Sequence, residues 1–276
     1  YQVDEVLSQK IREEISILTR LVKRTNDLDR RADMLFRIAE LHWLDSRSKY
    51  FAGMEVFNKQ FDEYSKGMRK VRPVEPKFSP TAPFKIYREI IKTAPSYDRI
   101  DEVLFLAGYH ATEINDPEAI TYFRKLVKEH PKSKFRLDAH LELGDLQFRD
   151  RQFDNAIQSF NVILREPSKL YNFALYKISW CFYNQGKVRP AMVVMQRVVK
   201  TSKGVKNELE LREEALKDLV LFYSDLGLID EAQTYFVSIG EPNYAKKVLQ
   251  KLADIYFDQA RYDKAIETYQ KLLPCN

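Results

Sequence analysis

The chain has 276 residues, a formal net charge of +5, 45% hydrophobic and 31% charged side chains, and only 8 glycines. That balance belongs to a folded, helix-favouring chain, and the modest charge falls well short of a nucleic-acid-binding signature. Purely apolar runs such as Ala191 to Met195 or Leu219 to Tyr223 are far too short to span a bilayer.

The sequence begins at Tyr1, without a signal-type apolar segment, so it reads as a processed or trimmed product whose address label has been removed. Cys181 and Cys275 do not make a disulfide framework. Cys181 falls within an apolar helix pattern and is expected to be a packed thiol; Cys275 is expected to be free near the chain end. Two cysteines leave the redox compartment open.

In chain order, residues 3–24 form a first helix with Val3, Val6, Leu7, Ile11, Ile15, Leu18, Leu21 and Val22 on one face. Residues 30–95 read as a degenerate helix pair. Residues 30–44 are its first helix, with Ile38-Ala39 as an apolar-then-small pair, and 83–93 its second, marked by Pro83, Tyr87, Ile90 and a closing Pro95. Between them lies an insertion, 46–82. Ser46 to Arg69 reads as helical, whereas Val71 to Pro83 carries four prolines and predicts an extended linker.

From residue 101 the pattern is regular, with units at 101–131, 137–167, 172–200, 213–240 and 246–273. An alanine followed four residues later by a bulky residue recurs as Ala119/Phe123, Ala156/Phe160, Ala191/Met195, Ala232/Phe236 and Ala265/Tyr269, the alanines 37, 35, 41 and 33 residues apart. About twelve residues before each alanine stands an apolar-small pair: Ala107-Gly108, Leu143-Gly144, Ile178-Ser179, Leu219-Val220 and Leu252-Ala253. Val220 is the poorest fit to a small site. A third residue follows three positions later: Ala111, Gln147, Phe182, Tyr223 and Tyr256. Small residues let two helices approach and a large one fills the gap a turn away.

Local signals agree. Asp116-Pro117 reads as an N-cap with a first-turn proline, and Phe153, Val188, Ile229 and Tyr262 begin second helices. Gly186 and Gly227 fall in the inter-helix turns, and Pro131 and Pro167 close units. A small insertion near Lys200 to Leu211 accounts for the longest gap. The array ends at Leu272-Leu273-Pro274-Cys275-Asn276 without a capping helix, so the natural chain is expected to continue, or a partner or second copy to cover this end.

This pattern resembles the tetratricopeptide repeat. The resemblance implies an all-α chain, a right-handed superhelix of stacked helix hairpins with a degenerate N-terminal repeat, and a non-catalytic protein-binding role exercised through the concave wall lined by the first helices.

No nucleotide loop, zinc-ligand spacing or nucleophile elbow is present. His42, His110, His130 and His140 are expected to be neither ligands nor catalysts, and no metal or cofactor is implied. Glu13-Glu14 and Glu213-Glu214 read as solvated helix faces.

The wall should include Phe36, Glu40 and Trp43, then Glu102, Phe105, Tyr109 and Glu113, then Asp138, Leu141, Asp145, Phe148 and Arg149. Phe173, Tyr176, Trp180, Tyr183 and Asn184 follow, with Glu214, Lys217, Leu221, Asp225, Lys247, Gln250, Asp254, Phe257 and Asp258. The partner-binding groove is placed on Phe105, Tyr109, Asp145, Phe148, Arg149, Tyr176, Trp180 and Tyr183, because aromatic anchors carry most interface energy. The alternative is that these rings pack between adjacent first helices.

The paired Lys and Asn that hold a terminal carboxylate in some tetratricopeptide proteins are missing. The expected ligand is therefore an extended protein segment with apolar side chains and basic or neutral character. Lys66, Arg69, Lys70, Arg72 and Lys77, and separately Lys125, Lys128, Lys132 and Lys134, are read as solvated faces or as contacts to an anionic membrane or envelope polymer.

Three stretches, RADMLFRIAELHW from Arg31 to Trp43, DEVLFLAGY from Asp101 to Tyr109 and LYNFALYKISWCFY from Leu170 to Tyr183, resemble envelope tetratricopeptide proteins of predatory and gliding bacteria, including gliding-motility components. That resemblance implies an exported scaffold, periplasmic or outer-membrane associated. A cytoplasmic peptide-reading adaptor, or the regulatory arm of a larger enzyme, stays open as an alternative.

Overall fold

From Thr81 onward the alternation of small and bulky residues gives helices of 9 to 18 residues separated by short connections. The computed structural model describes residues 2–205 and 207–272, with side chains from Ser8 onward. The expectations placed on Val3, Val6 and Leu7, and on the chain end from Leu273 through Cys275 to Asn276, lie outside the described side chains and residues. Among the described residues there are thirteen helices and no strand: α1 (Gln2–Arg24), α2 (Leu28–Ser65), α3 (Thr81–Thr93), α4 (Ile100–Glu113), α5 (Ala119–Glu129), α6 (Arg136–Arg149), α7 (Phe153–Ile163), α8 (Tyr171–Asn184), α9 (Val188–Thr201), α10 (Leu209–Leu226), α11 (Ile229–Ser238), α12 (Pro242–Asp258) and α13 (Tyr262–Gln270). The chain divides into two compact units, residues 1–142 and 143–276.

In the first unit, α2 packs on α1 and α3, and α4 on α3 and α5. Asp27 starts α2, its carboxylate accepting the backbone N–H groups of Asp29 and Arg30. The first helix of the degenerate repeat and the helical part of the insertion are one uninterrupted element of 38 residues, because nothing from Leu44 to Gly53 breaks a helix and a lone interior glycine costs only about 1 kcal/mol.

The proline-rich return carries neither helix nor strand from Arg72 to Pro80, and it is held rather than loose. Phe78 meets Tyr50 edge-on at 5.9 Å, and the Arg72 guanidinium sits 6.0 Å from the Phe61 ring. Pro76 lies so close to Gly53 that an added Cβ would come within 3.2 Å of it. α5 starts at Ala119, slightly later than Asp116-Pro117 predicts. The Asp116 carboxylate instead caps the approach, accepting the Glu118 N–H at 2.9 Å.

In both units the small sites do what the pattern requires. A Cβ on Gly108 would lie 2.7 Å from the Phe123 ring, and one on Gly144 only 2.4 Å from Phe160. Both rings are fully buried, as are Met195 and Phe236 at the equivalent positions, each contributing about 2–3 kcal/mol of apolar burial. Ser179 takes the small place in its unit and donates to the Ala191 carbonyl at 2.7 Å, joining the helices α8 and α9.

One backbone device recurs through the regular units. The turn residue between first and second helix is left-handed at Asn115, Arg151, Gly186, Gly227 and Ala260. The following N–H donates five residues back, to the carbonyls of Ala111, Gln147, Phe182, Tyr223 and Tyr256, the closure of a Schellman motif. The sequence marks these five acceptor positions as the third element of the repeat.

The second unit departs from expectation at its first helices. α10 begins at Leu209 and α12 at Pro242, about a turn before the predicted 213 and 246. The small insertion therefore becomes the short connection after α9 plus an added turn of helix. Tyr269, expected as the bulky filler of the last unit, is exposed, and its hydroxyl donates to Asp254.

Candidate functional site

A hollow of about 370 Å³ opens in the first unit between α2 and α4, with α3 beneath it. The helical period puts Phe36, Glu40, Trp43 and Leu44 along one stripe of α2, and Glu102, Leu106, Tyr109 and His110 along one of α4. Tyr87 from α3 closes the floor. Phe36 meets Tyr87 at 5.6 Å, and the His110 imidazole stacks on Tyr87 with ring planes only 5° apart.

Charges at the rim are paired. Arg37 bridges Glu14 at 2.8 Å and Glu40 at 3.4 Å. Arg99 bonds Glu102 at 3.1 Å while its guanidinium covers the outer face of Phe36 at 3.9 Å, a cation–π contact. Burial raises the Tyr87 phenol, and burial followed by Glu113 raises that of Tyr109. His110 is only 3% exposed and burial holds it at about 4, so it is neutral near pH 7. Its Nδ1 is buried without a partner among protein atoms. Tyr109 is 39% exposed at the mouth, and Arg47 lies 5.1 Å from the Trp43 ring.

Five residues expected on the wall, Phe36, Glu40, Trp43, Glu102 and Tyr109, thus line one hollow. Tyr87 and His110 complete it; in the sequence Tyr87 marks only the repeat spacing, and His110 is expected only to be neither ligand nor catalyst. Phe105 is turned toward its neighbours, stacked on Phe135 at 5.2 Å and edge-on to Phe123 at 5.9 Å.

In the second unit the aromatic residues of α8 pack against α10. Tyr183 stacks on Phe222 at 4.6 Å, and Trp180 meets the same ring edge-on at 5.6 Å. Trp180 Nε1 donates to Asp218 at 3.0 Å, and Tyr183 to Asp225. Burial and then its hydrogen bond to Asp218 push Tyr176 up to about 12. Asp218 itself is raised, chiefly by burial. Asp145 is engaged by Lys177 at 2.9 Å, Phe148 packs on Phe153 at 5.5 Å, and Arg149 is exposed. These rings are half-buried and tethered by carboxylates, so here packing between adjacent first helices takes much of their area. Cys181 is fully buried and burial pushes its thiol up to about 12, the state of an inert packed group.

Among the described residues, no group of three or more His, Cys, Asp or Glu side chains could hold a metal ion, and no helix is long and apolar enough to cross a membrane.

Helix hairpins with recurring small-large interlocks define a helical-repeat protein. Tetratricopeptide repeat profiles match residues 115–170, 173–202 and 247–273, so the chain carries tetratricopeptide repeats, whose fold is generally a non-catalytic scaffold for protein partners.

Among solved structures, a tetratricopeptide repeat protein from Parabacteroides merdae is similar at 15% identity and a TM-score of 0.50, over 79% of this chain and 78% of that one. The C-terminal part of a tetratricopeptide repeat protein from Cytophaga hutchinsonii is 14% identical with a TM-score of 0.49, over 100% and 96% of the two chains. Aspartyl phosphate phosphatase F from Bacillus subtilis gives 15% identity and 0.48, over 94% and 78%. At these identities the first likeness speaks for the fold alone. A search of curated proteins finds no match.

Proposed function

We propose that the chain is a non-catalytic scaffold that holds an extended segment of a partner protein, with one apolar or aromatic side chain of that segment seated in the hollow of the first unit. The observation that carries this reading is the hollow itself. Its floor of Phe36, Tyr87 and His110 is apolar or neutral, while Trp43 and Tyr109 stand partly free at the mouth to grip an incoming chain.

Because Glu40 and Glu102 are already paired with arginines, the apolar contact supplies affinity; the proposed segment is neutral or basic in character. Within the second unit, Tyr176, Trp180 and Tyr183 offer a contact surface of their own with the faces that packing leaves open; Asp145, Phe148 and Arg149 belong to the same proposal.

The test is selection of peptides from a displayed random library, followed by titration against Trp43→Ala/Tyr109→Ala. We expect selected peptides to carry an aromatic or large aliphatic anchor and to lose at least about ten-fold in affinity to the double variant. Unchanged affinity would count against the hollow.

A second reading, peripheral contact with an anionic envelope surface, has one observation in its favour. At the far end of α2 the turn through Gly67 presents Met68, Val71 and Val74, which are 75%, 71% and 90% exposed. Lys66, Arg69, Lys70 and Arg72 are interleaved with them. Apolar tips among cations suit the boundary between headgroups and acyl chains. Binding to phosphatidylglycerol vesicles that is abolished by high salt and by Met68→Asp would support it; binding indifferent to both would not. The periplasmic or outer-membrane setting remains part of this proposal.

A further inference from the structure

The connection after α9 and the start of α10 shape a second cavity, of about 680 Å³, wholly within the second unit. Arg197 and Lys200 reach it from α9, Lys203 from the connection, and Arg212 from α10, with Tyr235 and Ile239 as an apolar wall. Among the described residues no carboxylate lines it.

Two carboxylates stand close by. Glu241 bonds Nη1 of Arg212 at 3.0 Å, and Glu208 accepts from Asn172, the partner of the lining Thr201. The Arg212 side chain is only 12% exposed, and its Nε is buried without a partner among protein atoms. Arg197 lies over the Tyr171 ring at 5.6 Å and donates to the Tyr171 hydroxyl, a partner that leaves the charge uncompensated. Lys200 and Lys203 are exposed and make no ion pair among the described residues.

Gathering four cations around one concavity against two flanking carboxylates leaves a net positive site that is self-repulsive unless an anion is shared among them. The matching anion carries more than one charge and several acceptor oxygens, so that a planar guanidinium edge and two ammonium groups can donate to it together. A single carboxylate meets neither requirement, and the cavity is larger than a phosphate, leaving room for an ester substituent against Tyr235 and Ile239.

We propose that this cavity binds a dianionic phosphate group, either on a small soluble molecule or on a lipid headgroup. The inference is independent of the peptide reading, whose hollow lies in the other unit.

Calorimetric titration of the full chain with inorganic pyrophosphate tests the soluble source. Binding to phosphatidylcholine vesicles containing phosphatidic acid, compared with phosphatidylserine at equal surface charge, tests the lipid source. In whichever arm binding occurs, Lys200→Gln/Lys203→Gln, both at exposed positions, is expected to weaken it at least about ten-fold. Lys128→Gln/Lys132→Gln, which removes the same charge from the first unit, should change it by no more than about two-fold.

Pyrophosphate binding lost only in the first variant supports a soluble ligand. A phosphatidic acid preference lost only in that variant supports a headgroup. Equal loss in both variants, binding of polyglutamate but no phosphate compound, or no binding in either arm would each overturn the proposal.

Discussion

Replacing Gly144 by alanine puts a methyl group where the Phe160 ring already stands. The added Cβ would lie 2.4, 2.7 and 2.8 Å from three ring carbons, well inside the contact distance of about 3.5–4.0 Å between carbons. Phe160 is completely buried, so the ring cannot swing into solvent, and either α6 and α7 separate or the ring leaves its rotamer. Overpacking of this kind costs about 1–3 kcal/mol, and so severe an overlap belongs at the upper end. The gain in helix propensity from glycine to alanine returns about 1 kcal/mol, leaving a net destabilisation of about 2 kcal/mol. For a chain of this size that corresponds to a fall in Tm of about 4–8 °C. Urea and thermal denaturation followed by circular dichroism would measure it, and Gly144→Ala/Phe160→Leu should recover much of the loss by vacating ring volume. A Gly144→Ala protein as stable as the parent would refute the idea that the glycine is there to admit the ring.

Other outcomes follow from the same structure. Gly227→Ala forces a Cβ into a left-handed turn at φ 65° and should cost about 1 kcal/mol, whereas Ala260→Gly, at φ 56°, should be neutral or stabilising in urea titrations. His110 is held at about 4 when folded against an ordinary 6.5, so the unfolded chain binds the extra proton. Its contribution is intact above pH 6.5, and stability falls as the pH drops from 6.5 toward 4, by up to about 3 kcal/mol. The slope over that window should be smaller in His110→Gln, and identical slopes would show that the imidazole is not buried neutral. Cys181 should react with a thiol reagent only at the rate of unfolding, because its thiol is buried and sits near 12; rapid reaction in native buffer would contradict that. Asp218→Leu removes the acceptor of Trp180 Nε1 and should cost about 1–3 kcal/mol while shifting the tryptophan fluorescence.

The repeat was legible because its signals are steric and local. Gly108 and Gly144 must be small where a ring enters, and Ala119, Ala156, Ala191, Ala232 and Ala265 sit where helices touch. Even the third residue of each unit, recognised only as a recurrence, has a cause in the carbonyl that closes the turn. Continuity was harder to read. Nothing in residues 44–53 says whether the helix of the degenerate repeat stops or runs on, since the outcome depends on the proline-rich return packing against Tyr50 and Gly53.

The wall residues of α2 and α4 could be read from their period, but the depth of the hollow depends on Tyr87 and His110, which look like ordinary interior positions. Facing residues of neighbouring helices are also invisible to a one-dimensional pattern. Thus Tyr176, Trp180 and Tyr183 read as an open cluster, although Phe222, Asp218 and Asp225 close on them. Arg197, Lys200 and Lys203 straddle a helix end and meet Arg212 only through the fold of the connection between α9 and α10.

The unbroken course of α2 has a mechanical consequence. At about 1.5 Å per residue, its 38 residues make a rod of about 57 Å, with Phe36, Glu40 and Trp43 in its first half and the exposed Met68 turn just beyond its far end. No loop or proline interrupts the span to act as a hinge. A load applied at the distal turn is therefore delivered as torque to the side chains that frame the hollow, and the lever is stiffened between Tyr50 and Phe61 by the proline-rich strap lying against it.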